Sequence, residues 1–246
     1  MGSANGMAEN NGPLDLRSLR SQIYEYIRDE IQSGQLIPGA FIKMREVSEH
    51  LGVSITPLRD AIIQLECEGF VTILPRRGIL LNKMTLAEIK NVLEIVGALE
   101  STVIATVFDR ITMMHLKKMA RLNVQMKELL KSEAFDQSFN ERYYQLNIDF
   151  HGVFLNLSSN PSLLRIVIPN KQRLYDFQRL AYLRRWELIN CDEHDQLIDY
   201  IEAGERAKAV RLWRDSHWSF TAHEKFIRDF YAQGNRQIRK QLDNQR

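Results

Sequence analysis

Cysteine is nearly missing from this 246-residue chain: Cys67 and Cys191 stand far apart and in no CxxC pattern. That argues against a disulfide-built secreted scaffold and for reduced thiols in a cytoplasm. Neither sign of charge dominates, with 33 Lys and Arg against 31 Asp and Glu and a net charge of +2, so no global basic field announces nucleic acid. No signal-peptide core and no apolar run of membrane length is apparent, so no membrane partner is expected. There is no nucleotide loop of Walker type, no persuasive Ser-His-Asp order and no internal repeat. Strand signals nearly vanish after residue 85. What is present is ordinary for a globular protein, 44% hydrophobic and 26% charged, in a chain long enough for one large or two modest domains. Met1 to Gly12 are small and polar and read as a disordered leader outside the fold.

The most informative stretch runs from Gly52 to Glu66. Gly52 can supply the positive φ that stops a preceding helix. Ser54 and Thr56 are good N-caps, and Pro57 suits a first helical turn. Leu58, Ala61, Ile62 and Leu65 then recur at the spacing of a core-facing stripe. The opposite side begins with Ser54, Thr56 and Arg59, which is what a recognition helix needs: hydroxyls and free N–H groups for phosphate, and an Arg for a guanine edge. An ordinary, well-capped amphipathic helix would look the same.

The flanks weigh on that choice. Phe41 to Leu51 reads as a second short helix with Met44, Val47 and Leu51 inward, making a helix-turn-helix around Gly52. After Gly69, Phe70–Leu74 and Ile79–Leu81 bracket Pro75-Arg76-Arg77-Gly78, the pattern of a hairpin with two arginines at its tip. Residues 17–33 precede this as an amphipathic helix with Leu19, Ile23, Tyr26, Ile27 and Ile31 on one face, ended by Gly34 and the Pro38-Gly39 turn. Residues 13–83 hold nine Lys and Arg against nine Asp and Glu. Affinity for DNA must therefore come from placement, with Lys43, Arg45, Arg59, Arg76 and Arg77 on one side.

Gly34-x-x-x-Pro38-Gly39, Arg45-Glu46-Val47-Ser48, Gly52-Val53-Ser54-x-Thr56-Pro57-Leu58-Arg59-Asp60-Ala61, Leu65-x-x-x-Gly69-Phe70-Val71 and Gly78 together resemble the winged helix-turn-helix of the GntR family of bacterial regulators, over about residues 17–82. The resemblance implies DNA contacts at Arg45, Thr56, Arg59 and the wing around Arg77-Gly78, with Lys43, Ser54, Pro57 and Arg76 beside them. The family usually has Arg after the Ser; Ile55 stands there, which implies an operator unlike the commonest family sites.

From residue 85 long helical periods take over, at about 85–108, 112–131, 135–157, 161–182, 190–202 and 206–232. Thr85 with Glu88 forms a capping-box pattern after the linker Asn82-Lys83-Met84, and Pro169 predicts a kink or break. Residues 84–234 thus read as an all-α bundle and 235–246 as a polar tail without a core stripe. His151 (one turn after Asn147), His194 and His217 lie on three of these helices and could converge in the bundle as ligands for a divalent ion. Their spacing equally suits unrelated core or surface histidines. His50, His115 and His223 read as surface groups, and Trp186, Trp213 and Trp218 as packing residues.

Asn147-x-x-Phe150-His151, Asn160-Pro161, Glu193-His194, Gly204-Glu205-x-Ala207-x-Ala209 and His217 are similar to the FCD-type ligand-binding domain of the FadR subfamily. In it an Asp and three His commonly hold a metal that anchors a carboxylate effector. The resemblance implies metal ligands His151, His194 and His217, with Asn147 where the family has Asp, and Zn or Ni foremost as the ion. Asp149, two residues along, points about 200° away. The family often has Arg four residues before the Glu of Leu99-Glu100, where Val96 stands here. Arg173 or Arg179 could supply the missing cation, so Val96, Glu100 and Arg173 mark the expected effector site.

The expectation is therefore a mainly α protein, an N-terminal winged helix-turn-helix joined to an all-α bundle of FCD type. It implies a cytoplasmic, homodimeric transcription regulator, in the commoner family mode a repressor, that reads a pseudo-palindromic double-stranded operator and answers to a small organic acid held at a metal. A metal-responsive regulator and a metal-dependent hydrolase fused to a DNA reader are the alternatives.

Overall fold

The computed structural model describes residues 18–131, 137–176 and 184–244. The expected leader and Arg179 fall outside them. Helix α1 (Leu19–Gln32) opens the described chain, capped by the Ser18 hydroxyl on the Ser21 N–H. It buries Ile23, Ile27 and Ile31. Tyr26 is only half-buried and Leu19 is exposed, so the expected stripe begins one turn late. A two-residue strand β1 (Phe41–Ile42) precedes α2 (Met44–Leu51). The helix expected from Phe41 thus starts three residues later. Its first residues are taken by the sheet, because Phe41 and Ile42 pair with Leu80 and Ile79.

Gly52 ends α2 in the left-handed region, at φ 63°. Helix α3 (Ile55–Cys67) follows and buries the predicted stripe Leu58, Ala61, Ile62 and Leu65 against α1. Strands β2 (Val71–Leu74) and β3 (Gly78–Leu81) form the expected hairpin in the register Val71 with Leu81 to Leu74 with Gly78. The sheet order is β1-β3-β2. Arg76 at the tip adopts φ 64°, a left-handed conformation uncommon outside glycine.

Thr85 and Glu88 complete the predicted capping box at the start of α4 (Leu86–Val107). This helix packs against most of the elements that follow it and buries Ile89, Val92, Val96, Glu100, Val103 and Ile104. Contrary to the reading of the sequence, Leu86–Arg110 is long and apolar enough to cross a membrane by length and composition. Here it is the central helix of the bundle. A short 3₁₀ turn (Phe108–Arg110), α5 (Met113–Lys131), α6 (Gln137–Leu155) and α7 (Pro161–Asp176) follow. Helix α7 continues through Pro169 without a break; the Asn170 side-chain amide donates to the Ile166 carbonyl one turn back.

Helix α8 (Arg184–Glu202) starts six residues before its expected position. The single helix expected at 206–232 is three pieces: α9 (Arg206–Leu212), a π-helical turn (Trp213–His217) and α10 (Phe220–Asn244). Helix α10 runs on through the supposed tail because Ile238 is buried. Ile238 lines a groove with Phe230, Met84, Ile89 and Pro38, where the bundle meets the winged unit. One apolar cluster, from Ile23 to Ile227, runs through both units.

Candidate functional site

The winged unit presents to solvent the residues expected to meet DNA. Ser54 occupies the N-cap of α3, yet its hydroxyl makes no cap bond. Ser54, Thr56 and Arg59 are exposed and Pro57 is half-buried. Arg76, Arg77 and Gly78 are exposed at the wing tip. Lys43 pairs with Glu46 at 2.8 Å and Arg45 with Glu49 at 3.0 Å along α2. Such exposed intrahelical pairs are weak and leave both cations free to exchange a carboxylate for a phosphate.

The bundle does the opposite. His151 on α6, His194 on α8 and His217 on the π turn are all buried, and a ligating nitrogen from each lies within 4.8 Å of the other two. Ring centroids stand 5.0 to 5.4 Å apart. Each ring is fixed by the same device. His151 Nδ1 donates to Glu100 Oε2 at 2.9 Å, His194 Nδ1 to Asn123 Oδ1 at 3.1 Å, and His217 Nδ1 to Glu193 Oε2 at 3.0 Å. Asn123 cannot reverse its amide freely, because its Nδ2 donates to the Cys191 carbonyl and to Asp195. Phe150 stacks on His194 at 3.9 Å, and Trp213 on His217 at 4.0 Å. With every Nδ1 engaged as a donor, each Nε2 is left as the ligating atom. Those of His151 and His194 are buried with no hydrogen-bond partner. Buried polar atoms are rarely left so, whereas imidazoles whose second nitrogen is held by an oxygen acceptor are the habitual arrangement of metal ligands.

The protonation states suit that chemistry. Burial pushes the His151 imidazole down to about 3, and burial together with neighbouring cations holds His194 well below its usual value. Both rings are therefore neutral and able to ligate at pH 7. Burial works against an ionised Glu100, but His151 and Lys171 more than offset it, so its carboxyl titrates well below the carboxylate range. Glu100 accepts four bonds: His151 Nδ1, the indole N–H groups of Trp213 and Trp218 at 2.8 and 2.9 Å, and Lys171 Nζ at 2.6 Å. Gly97, one turn earlier on α4, permits this convergence. A Cβ there would lie 2.8 Å from Trp218 Cβ.

Asn147 is buried one turn before His151 on the same helix. Asp149 faces outward, accepting from Gln145. Of the expected effector residues, Val96 is fully buried and Glu100 sits behind His151. Arg173 is elsewhere: its guanidinium lies against Gly69 of the winged unit. The cation beside Glu100 is Lys171, two residues earlier, which only α7's packing against α4 could reveal. His223 is likewise not a surface group. It is 4% exposed, its Nε2 3.4 Å from Glu193 Oε1. Trp213 and Trp218 do more than pack, and neither indole bond to Glu100 has a local sequence signal.

Two family descriptions match the chain. That of bacterial regulatory proteins of the gntR family covers residues 19–81, and that of the FCD domain covers residues 91–217. The chain belongs to the GntR family of regulators. The first of these families is described as bacterial regulatory proteins, and the relatives whose function is named are transcriptional regulators. Curated relatives include the transcriptional repressor RspR of Escherichia coli K12, 26% identical over 57% of this chain and 59% of its own. McbR of the same organism is 24% identical over 56% of this chain and 62% of its own. The match thus spans about three fifths of each relative's length. The fold of E. coli McbR/YncC superposes with a TM-score of 0.69 over 89% of this chain and 99% of that one, at 18% identity. A GntR regulator of Rhodococcus sp. RHA1 gives 0.60 over 87% and 96%, at 19% identity. At such identities the likeness is one of fold.

Proposed function

We propose that this GntR-family regulator is a cytoplasmic homodimeric repressor whose hold on a pseudo-palindromic operator is released by a small organic acid bound at a divalent metal in its helical domain. The observation that carries the reading is the triangle of buried imidazoles, each with Nδ1–H anchored to an oxygen and Nε2 left to ligate. His151, His194 and His217, with Asn147, would hold the ion, Zn or Ni fitting an imidazole-rich set. Bound there, the metal supplies a positive centre that anchors a carboxylate. Four neutral ligands would leave that charge uncompensated, which favours an anionic partner. On the DNA side, the start of α3 would enter the major groove, with Thr56 and Arg59 at base edges and Ser54 and Pro57 against the backbone. Lys43, Arg45 and the Arg76-Arg77-Gly78 tip would contact phosphates or the adjacent minor groove.

Neither carboxylate that the sequence offers the rival hydrolase reading is poised as a base. Glu100 already accepts four bonds and Asp149 faces solvent. Metal analysis of wild type and a His151→Ala/His194→Ala variant tests the site, and equal metal content in the two would reject it. Titrating operator binding with metal alone, and then with metal plus short organic acids, separates acid release from a response to the ion itself.

A further inference from the structure

Three consecutive residues of α7 touch both units of the protein. Lys171 Nζ donates to Glu100 inside the bundle. Gln172 Oε1 accepts from Arg28 Nη1 of α1 at 2.7 Å. The Arg173 guanidinium lies against Gly69, its Cζ 2.8 Å from the place a Cβ would take. Arg28 is only 5% exposed; besides Gln172 it meets the Tyr24 hydroxyl at 3.3 Å and lies over the Phe70 ring at 4.6 Å. Tyr24 in turn donates to Glu68 Oε2 at the end of α3, and Glu68 Oε1 accepts from Gln64 on that helix. Two hydrogen-bonded segments, His151–Glu100–Lys171 in the bundle and Gln172–Arg28–Tyr24–Glu68 reaching the recognition helix, are therefore joined through the α7 backbone between Lys171 and Gln172.

We infer that α7 is the element that carries the state of the imidazole cluster to α3, with Lys171, Gln172 and Arg28 as its positioning residues. The inference rests on the proposed metal reading. The Glu100 carboxylate is shared: one oxygen serves His151 and both indoles, the other accepts from Lys171. A cation on His151 Nε2 makes its Nδ1–H a stronger donor and draws Glu100 toward it. Lys171 must follow, since a buried ammonium without its partner is costly. Lys171 and Gln172 are neighbours on one rigid helix, so any movement of the first shifts the second against Arg28. Coupling requires only that the two arrangements differ in this buried bond.

The test is hydrogen exchange on the full-length protein, with Zn²⁺ as the probe. In wild type, Zn²⁺ should change exchange in α1 and α3 as well as around α6 and α8, by about threefold or more. In Gln172→Ala the α6 and α8 response should persist while that of α1 and α3 is lost. An undiminished α1 and α3 response in Gln172→Ala, or a wild-type response confined to the bundle, overturns the inference. A metal-free arm keeps the two ideas apart. Lys171→Met should speed exchange in α1 in the wild-type background and not in Gln172→Ala. If Zn²⁺ leaves α6 and α8 unchanged, the metal reading fails; if Lys171→Met acts equally in both backgrounds, the α7 link fails.

A separate observation concerns DNA specificity. Ile55, the first residue of α3, is 38% exposed between exposed Ser54 and Thr56, one turn before exposed Arg59. An alkyl side chain has no donor or acceptor, and the base-edge group it contacts favourably in the major groove is the thymine methyl. The geometry points to Ile55 as the reader of one thymine per half-site, beside the base met by Arg59. Operators selected from random DNA would be remade with deoxyuridine at each thymidine in turn. One replacement per half-site should weaken wild type about fourfold, the worth of one buried methyl group, and leave Ile55→Ala unaffected. No sensitive thymine, or equal sensitivity in Ile55→Ala, overturns the assignment.

Discussion

The two units of this regulator use charge in opposite ways. In the winged unit Lys43, Arg45, Arg59, Arg76 and Arg77 stand in solvent, with at most a carboxylate one turn away on the same helix. In the bundle Glu100, Lys171, His151, His194 and His217 are buried and hydrogen-bonded among themselves and to indoles and amides. The difference follows from their partners. A polyanion delivers its own charge at contact, so its binders gain from being unpaired beforehand. A small ligand set must be held rigid before its ion or acid arrives, and rigidity in a dry interior requires every polar atom to have a partner. Among the buried atoms left without a hydrogen-bond partner, the Nε2 atoms of His151 and His194 belong to imidazoles that converge with His217, and that convergence marks the place for a ligand.

The contrast can be broken most severely at Glu100. Glu100→Ala leaves the Lys171 ammonium and two indole N–H groups unpaired in the core, and should cost about 3–5 kcal/mol in denaturant unfolding of the full chain. Next comes the amide behind His194. Asn123→Ala should weaken Zn²⁺ binding about 10–100-fold by calorimetry, while affinity of the metal-free protein for DNA stays the same. An unchanged zinc affinity would mean that His194 needs no orienting partner. On the exposed side, Arg59→Ala should lose about 1–3 kcal/mol of specific binding, relaxing preference at one base pair, with no change in melting temperature. Wild-type affinity in that variant would remove Arg59 from the recognition surface. The smallest effect is expected at Glu49→Ala, which frees Arg45 at a stability cost below about 1 kcal/mol. A larger loss there would show that the winged unit's charges are held as firmly by their partners as those of the bundle.

Much of this was legible before folding, because some signals are local. Gly52 with its left-handed φ, the Thr85 and Glu88 capping box, the Leu58–Leu65 stripe and the 71–81 hairpin each depend on residues within a turn or two of one another. The π turn at Trp213–His217 was not legible, since an inserted residue in a helical period shows no change in composition. Arg173 and Lys171 differ by two positions on one helix, and nothing in their side chains says which faces Glu100 and which faces Gly69. His223 was misplaced for the same reason: its burial comes from Glu193 and Trp186 on another helix.

Periodicity, caps and turn chemistry in the chain thus dictated most of the elements of the winged unit and the helical character of the rest, because backbone geometry responds to near neighbours. The three candidate imidazoles, by contrast, were marked by the family resemblance and not by their spacing. Which acceptor locks each imidazole, which cation reaches Glu100, and which residue of α7 meets Arg28 depend on residues 24 to 144 positions apart. Such pairs are settled only when helices pack. In a close-packed interior a side chain's partners are whatever the neighbouring helices bring within reach.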